Sequence, residues 1–260
     1  MEFKANADKK VDIVSEGVLY KRHAIQTHFV QIGEDYVELV NRYVKPLYQE
    51  GDILSISEKI IGLCQKRVVY KKDMKISWLA RFLSRFAMRT DAGIGVDSPY
   101  KMQFAIDYAG AWKVLWAAIC SGIGKIFGKH GIFYDMVGQE VSGLDGFYDH
   151  EFAEYGNYGI RIPENSRGVC NEIYEKIGVM AMIVDANDLS REILGHADVI
   201  QKTDAQLCDL IRDNPAGQST ELTPFILIRP IGPAEDASAP TPEVESDAPD
   251  SGEAPVSPEH

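Results

Sequence analysis

An Ile- and Leu-rich stretch, Ile53 to Leu63, and two short continuous apolar runs, Val179 to Val184 and Phe225 to Ile228, are separated by segments whose apolar residues recur at helical spacing. A continuous apolar run leaves no face for water, so each predicts a strand buried on both sides of a sheet. The first is expected to run on towards Arg67-Val-Val-Tyr70, and the second to end where Asp185 emerges into a loop. Helices fill the intervals. Val37, Leu39, Val40, Tyr43 and Val44 share a helical face that ends before Pro46 and the Gly51-Asp52 turn, and Ile76, Leu79, Phe82, Leu83 and Phe86 repeat the pattern. A long helical reading runs from Pro99 to about Phe127 and is expected to break at Gly122 and Gly124. Thr203 with Gln206 forms a capping-box signal for a helix through Ile211, closed by Pro215. The alternation predicts an α/β fold with a mixed sheet (α+β in character), one body of two lobes.

The chain of 260 residues is 45% hydrophobic and 25% charged, a balance that predicts a soluble globular protein. Its net charge of -12 is concentrated at one end: residues 231–260 hold eight acidic residues and no Lys or Arg. Pro233, Pro240, Pro242, Pro249, Pro255 and Pro258 stand in the same segment, which has too little apolar surface to offset ordering entropy. We expect a flexible N-terminus over 1–10, a folded body over 11–230 and a disordered acidic, Pro-rich tail over 231–260. Residues 1–230 carry 31 acidic against 27 basic residues, so no basic surface is expected to displace counterions from nucleic acid.

Cys64, Cys120, Cys170 and Cys208 are scattered, without a C-x-x-C pair, and are expected to be free thiols in a reducing cytosol. Met1 to Val14 has no signal-peptide apolar region, which predicts a cytoplasmic location. The most apolar stretch, 114–124, falls short of the roughly 20 residues a transmembrane helix needs.

Several motifs invite chemistry. Gly122-Ile-Gly-Lys-Ile-Phe-Gly-Lys129 has the residues of a phosphate-cradling loop, but Ile123 and His130 stand where a P-loop requires Gly and Ser or Thr. The stretch from Lys71 to Arg89 mixes Lys and Arg with Trp78, Phe82 and Phe86. Its aromatic residues are expected to face the core, leaving the cations solvated; a helix on an anionic membrane surface is the competing reading. The six histidines share no metal-ligand spacing, and no G-x-S-x-G elbow is present. Asp145, in Val141-Ser-Gly-Leu-Asp-Gly-Phe147, and Asp185, in Met182-Ile-Val-Asp-Ala-Asn-Asp188, follow apolar runs. Carboxylates at strand ends suit Mg²⁺ or Mn²⁺, and they equally suit turns and helix caps.

The order of several blocks resembles the coenzyme F(420)-0:L-glutamate ligase family. These blocks are Ile32-Gly-Glu-Asp-Tyr-Val-Glu-Leu39, Gly51-Asp-Ile-Leu-Ser-Ile-Ser-Glu-Lys-Ile-Ile61, Arg67-Val-Val69, Ser142-Gly-Leu-Asp145, Ile162-Pro-Glu-Asn165, Ile183-Val-Asp185 and Ala216-Gly-Gln218. The resemblance implies a gamma-glutamyl ligase-like fold and a GTP-dependent ligase. Such an enzyme phosphorylates a small-molecule carboxylate acceptor and joins it to L-glutamate through an amide, with Mg²⁺ or Mn²⁺ at the phosphates, and acts as a homodimer. By position it implies Asp145, Asp185 and Gln218 as metal ligands, and Thr27, His28, Glu58, Lys59, Gly217 and Ser219 as nucleotide-binding residues. Asp97 also follows a glycine-containing segment; Asp145 is preferred for its spacing to Asp185. Leu63 stands where family ligases carry a phosphate-contacting Lys, and Tyr148 where an Asn is expected. The alternatives are a non-catalytic nucleotide- or partner-binding member of the same fold, and a peripheral membrane or interaction protein using Lys71 to Arg89 and the helix around Trp112 and Trp116.

Overall fold

A computed structural model describes residues 2–87, 95–129, 131–147, 153–187, 191–217 and 221–234. It opens with a hairpin of β1 (Asp12–Ser15) and β2 (Val18–Ile25). Glu16 and Gly17 join them with φ of 50° and 75°, the doubly left-handed turn that matches strand twist. Helix α1 (Tyr36–Tyr43) starts at Asp35, whose side chain accepts hydrogen bonds from the amides of Val37 and Glu38. Then come β3 (Ile53–Ser57), α2 (Glu58–Cys64), β4 (Val68–Tyr70) and α3 (Trp78–Ser84). Four more helices follow: α4 (Pro99–Ala109), α5 (Ala111–Ile126), α6 (Ile132–Val137) and α7 (Gln139–Ser142). The chain continues through β5 (Asp145–Gly146), β6 (Tyr158–Ile160), α8 (Ser166–Ile177), β7 (Ala181–Ala186), β8 (Arg191–His196), α9 (Asp204–Leu210) and β9 (Phe225–Pro233).

The fold is mixed α/β, as the alternation of periods predicts. A six-stranded sheet has the order β1-β2-β9-β3-β7-β8, and a smaller antiparallel sheet the order β4-β6-β5. Among the described residues only β3 and β7 run parallel in the larger sheet; its other neighbours are antiparallel. The central strands carry the apolar runs: Leu54, Ile56, Met182, Ile183, Leu227 and Ile228 are fully buried. They form one core with Val40, Val44, Ile61, Leu63, Ile173 and Leu207. A second core, built on Ala80, Met102, Ala105, Val114, Val137 and Leu144, belongs to α3–α7 and the start of β5.

Four expectations need correction. The run from Ile53 to Leu63 is not one strand: it turns into α2 after Ser57. Ile60, Ile61, Gly62, Leu63 and Cys64 of α2 are all buried, so the helix shows no polar face and its period is hidden in the sequence. The long helix breaks at Gly110 (φ 88°), not at Gly122 or Gly124. Gly124 instead admits α6, since a Cβ there would lie 2.2 Å from Ile132 Cδ1. The N-terminal segment is tied down: Lys4 N donates to His23 Nδ1 at 2.9 Å, and Asn6 Nδ2 donates to Pro215 O, Ala216 O and Thr223 Oγ1 at 3.0, 2.9 and 2.7 Å. The folded body passes residue 230, because β9 pairs with β2 as far as Val18↔Pro233. The tail from 235 onward lies outside the described residues.

Capping of α9 follows the sequence signal, with Thr203 and Gln206 bonded reciprocally. All four cysteines are free thiols. Among the described residues no helix is long and apolar enough to cross a membrane.

Gly62 lets α2 meet the small sheet. An added Cβ would stand 2.7 Å from Arg161 O and 2.9 Å from Ile160 Cγ2, and backbone cannot yield as a flexible side chain can. Gly62→Ala is therefore expected to destabilise by roughly 1–3 kcal/mol through overpacking, although Ala is the better helix former. Urea denaturation reads the effect; a midpoint equal to or above wild type would show that the sheets accommodate the methyl group.

Candidate functional site

The larger sheet brings four chain segments to one end. In its register Ile25 lies opposite Phe225, Phe225 opposite Ile56, and Ile56 opposite Ile183. Just beyond that row the chain leaves β2 for Thr27, enters β9 from Thr223, leaves β3 for Glu58 and Lys59, and reaches Asp185 near the end of β7. Two backbone hydrogen bonds lace the row together, Thr27 N to Leu222 O at 2.8 Å and Ser57 N to Pro224 O at 2.9 Å. Glu58 and Asp185 thus follow the Ser57↔Val184 pair of the parallel strands β3 and β7. The carboxyl end of parallel strands is a common position for ligand sites in open α/β sheets.

Asp145 arrives from the other sheet, where β5 pairs with β6. Lys59 Nζ reaches across to Asp145 Oδ2 at 2.6 Å, and Asp145 Oδ1 accepts from Gly146 N at 2.8 Å. Lys101, buried in α4, donates through Nζ to Ser142 O at 2.9 Å and Leu144 O at 2.8 Å, just before Asp145.

These groups titrate as a cluster. Burial, then the charges of Asp185 and Asp145, push the Glu58 carboxyl well above the usual carboxylate range. Glu58 Oε2 is buried and has no hydrogen-bond partner among the described residues. Burial also raises Asp185, followed by repulsion from Asp145 and Glu192. Asp145 goes the other way: burial would raise it, but the Lys59 ammonium holds it below its ordinary value. Lys101 falls to about 8 because burial outweighs the pull of Asp145, Asp185, Glu58 and Asp97.

Asp145 and Asp185 therefore act on each other electrostatically around Glu58, with Asp97 influencing the cluster through Lys101. No three His, Cys, Asp or Glu side chains among the described residues stand close enough to hold a metal ion. The donor chemistry nonetheless fits a hard divalent cation: the carboxylates offer oxygen, and one buried Glu58 oxygen lacks a donor. In this structure the Lys59 ammonium supplies the countercharge on Asp145.

The remaining candidates are distributed along the same end of the sheet. Thr27 is buried, and its Oγ1 donates to His28 O at 2.8 Å. The His28 ring is engaged at both nitrogens, Nδ1 with Tyr43 Oη at 2.7 Å and Nε2 with the Glu34 carboxylate at 2.9 and 3.0 Å. Gly217 (φ 76°) closes a turn with its N–H donating to Asn214 O at 3.1 Å, and a Cβ there would approach the Glu221 carboxylate at 2.9 Å. Gln218, Ser219 and Tyr148 lie outside the described residues. Leu63 is fully buried in the main core.

Sequence reasoning did not single out Lys101, Glu192 or Asn6. A lone Lys among Tyr100, Met102, Phe104 and Ala105 is the available signal for Lys101, since such a cation must be desolvated or paired. Glu192 becomes visible only through pairing, as the cross-strand partner of Asp185. No protein-family model and no curated protein matches this sequence.

The titrations have opposite signs. An unfolded Glu58 ionises near 4.5, whereas the folded one keeps its proton to higher pH, so its contribution to stability falls as pH rises above 4.5. Asp185 acts in the same direction from 3.8. Asp145 contributes stability above 3.8 that is lost as pH falls through its lowered folded value. Glu58→Gln is expected to flatten the decline in urea midpoint between mildly acidic and neutral pH. Parallel pH profiles for variant and wild type would show that Glu58 does not carry the proton.

Proposed function

We propose that this chain is a nucleotide- and divalent-metal-dependent ligase that forms a gamma-glutamyl-type amide bond through an acyl phosphate, similar to the coenzyme F(420)-0:L-glutamate ligases. The observation that carries the reading is the mutual electrostatic reach of Asp145 and Asp185, from different sheets, around the buried Glu58. Carboxylates brought together at a cost in desolvation and repulsion are typical of sites that take a cation or move a proton.

In this reading an acceptor carboxylate oxygen attacks the γ-phosphorus of GTP, and the bond to the leaving GDP breaks. The amine of L-glutamate then attacks the acyl carbon, inorganic phosphate leaves, and the nitrogen loses a proton as the amide forms. Mg²⁺ or Mn²⁺ held by Asp145, Asp185 and Gln218 screens the phosphate charge when bound. Thr27, His28, Glu58, Lys59, Gly217 and Ser219 hold the nucleotide, with His28 oriented by Glu34 and Tyr43. Lys101 fixes the turn that presents Asp145. The proposal includes a cytoplasmic homodimer.

Calorimetric titration of the full chain with GTP and Mn²⁺ tests the reading. Metal-dependent binding is expected, weakened roughly 10-fold or more in Asp145→Asn and in Asp185→Asn. Absence of binding in wild type, or unchanged binding in both variants, overturns it.

One observation favours a second reading, nucleotide binding without turnover: Leu63 is buried in the core and offers no cation to a phosphate. Release of inorganic phosphate that depends on a carboxylate acceptor and L-glutamate separates the two.

A further inference from the structure

The lobe formed by α3–α5 exposes apolar side chains in two ordered stripes. On α5, Trp112 is 84% exposed, Trp116 61%, Ile119 44%, Ile123 53% and Ile126 81%. At about 100° per residue these five positions lie within roughly 40° of one line along the helix. Val114, Ala117 and Gly124 on the opposite side are buried against the lobe. Lys113 and Lys125 are both exposed, at about 100° and about 140° to either side of that line, and α5 contains no acidic residue. On α3 and its C-terminal cap, Trp78 (75% exposed), Phe82 (49%) and Phe86 (70%) repeat the arrangement beside exposed Arg81 and Arg85. Their rings follow one another along the surface in tilted and edge-to-face contact, with centroids 6.3 Å apart for Trp78 and Phe82 and 5.0 Å for Phe82 and Phe86. The aromatic residues expected to face the core therefore face outward.

Charge identifies what covers these stripes. Residues 71–129 hold ten Lys and Arg against four Asp, a net of +6 within a chain of -12. A second copy of the lobe would set cations against cations. An anionic bilayer offers countercharge at its headgroups, an apolar layer beneath, and the boundary that Trp prefers. Helix α5, with 16 residues, fits lying along that surface and falls short of crossing it.

We propose that the α3–α5 lobe docks on anionic lipid bilayers through these two stripes, with the Trp and Ile side chains entering the headgroup boundary and the exposed Lys and Arg meeting lipid phosphates. The docking is independent of the ligase reading, because neither α3 nor α5 contributes a residue to the cluster around Glu58.

All three tryptophans of the chain, Trp78, Trp112 and Trp116, lie on the stripes, so intrinsic fluorescence reports on them alone. The full chain is mixed with vesicles of phosphatidylglycerol and phosphatidylcholine at low salt. Co-sedimentation and a blue shift are expected, both reversed by high salt, which shortens electrostatic range to about 3 Å at 1 M, and both absent with phosphatidylcholine alone. The pairs Lys113→Glu with Lys125→Glu, and Trp112→Ser with Trp116→Ser, are expected to weaken co-sedimentation about 10-fold or more. These side chains are solvent-facing, so an unchanged circular dichroism melt identifies folded variants. Failure to sediment with anionic vesicles at low salt overturns the proposal, as does equal binding to neutral vesicles. A lipid-free blue shift that rises with protein concentration, together with a dimer mass in sedimentation equilibrium, also overturns it and assigns the face to a second copy.

Discussion

The rest of the structure depends on how closely α2 can approach the small sheet. Gly62 sets that distance, because any side chain would collide with the backbone of Arg161. Four residues earlier the same helix begins with Glu58, directly after the central strand β3, and Lys59 follows. Holding α2 between the sheets therefore brings Lys59 within 2.6 Å of Asp145 on the other side. A second clasp reinforces the approach: Arg67, nearly buried, pairs with Glu140 at 2.6 Å, and Glu140 also receives Arg161 at 2.9 Å. Arg67 also pairs with Glu164 and donates through Nε to Ile162 O at 2.5 Å, so the clasp is a network rather than a single pair. Packing at a glycine and ion pairing at an arginine thus fix one geometric result, the meeting of β5 with the ends of β3 and β7.

The energetics of that meeting run against stability alone. Glu58 and Asp185 are both pushed up by burial and by neighbouring carboxylates, and Lys101 is pushed down by burial despite four carboxylates around it. A core of apolar side chains of similar volume would avoid these penalties. Structural ion pairs elsewhere in the chain match charge with charge, as Arg229 and Asp52 do at 2.6 Å. The cluster at Glu58 is acid-rich, with a buried oxygen that no donor among the described residues meets. That imbalance points to chemistry at this end of the sheet.

Much of the architecture was legible because periodicity survives where one face is buried and the other wet. Helix α1, with Asp35 as its cap, and helix α9, with Thr203 and Gln206, carry both the stripe and the punctuation. The apolar runs of β7 and β9 were equally plain. What escaped is whatever lies between two layers. Helix α2 is buried almost all round, so its period vanished into the preceding strand. Strand β8 is only partly buried and was not foreseen, and with it went Glu192, the neighbour of Asp185. The two aspartates stood out by position after apolar runs; their convergence did not, since they come from separate sheets and approach only through Lys59 and Glu58. Lys101 was hidden for a related reason: a single cation in an apolar helix gives no hint of the carbonyls it serves.

The outward-facing stripes show a different limit of periodicity. Recurrence at 3.6 residues establishes that one side of a helix is apolar, and it leaves open what that side meets. Helix α5 has two such sides. Val114, Ala117 and Gly124 line the inner one, and at Gly124 close packing against Ile132 of α6 leaves no room for a side chain. Larger side chains, Trp112, Trp116 and Ile126, are left to the outside. The division by size is itself informative, because a helix meant for burial on both sides would need volume on both. The smaller inner residues seat α5 on its lobe, and the larger outer ones remain for an external apolar layer. The carboxylate cluster rests on the first core and these stripes on the second, with Lys101 on α4 reaching from the helical lobe to the turn before Asp145.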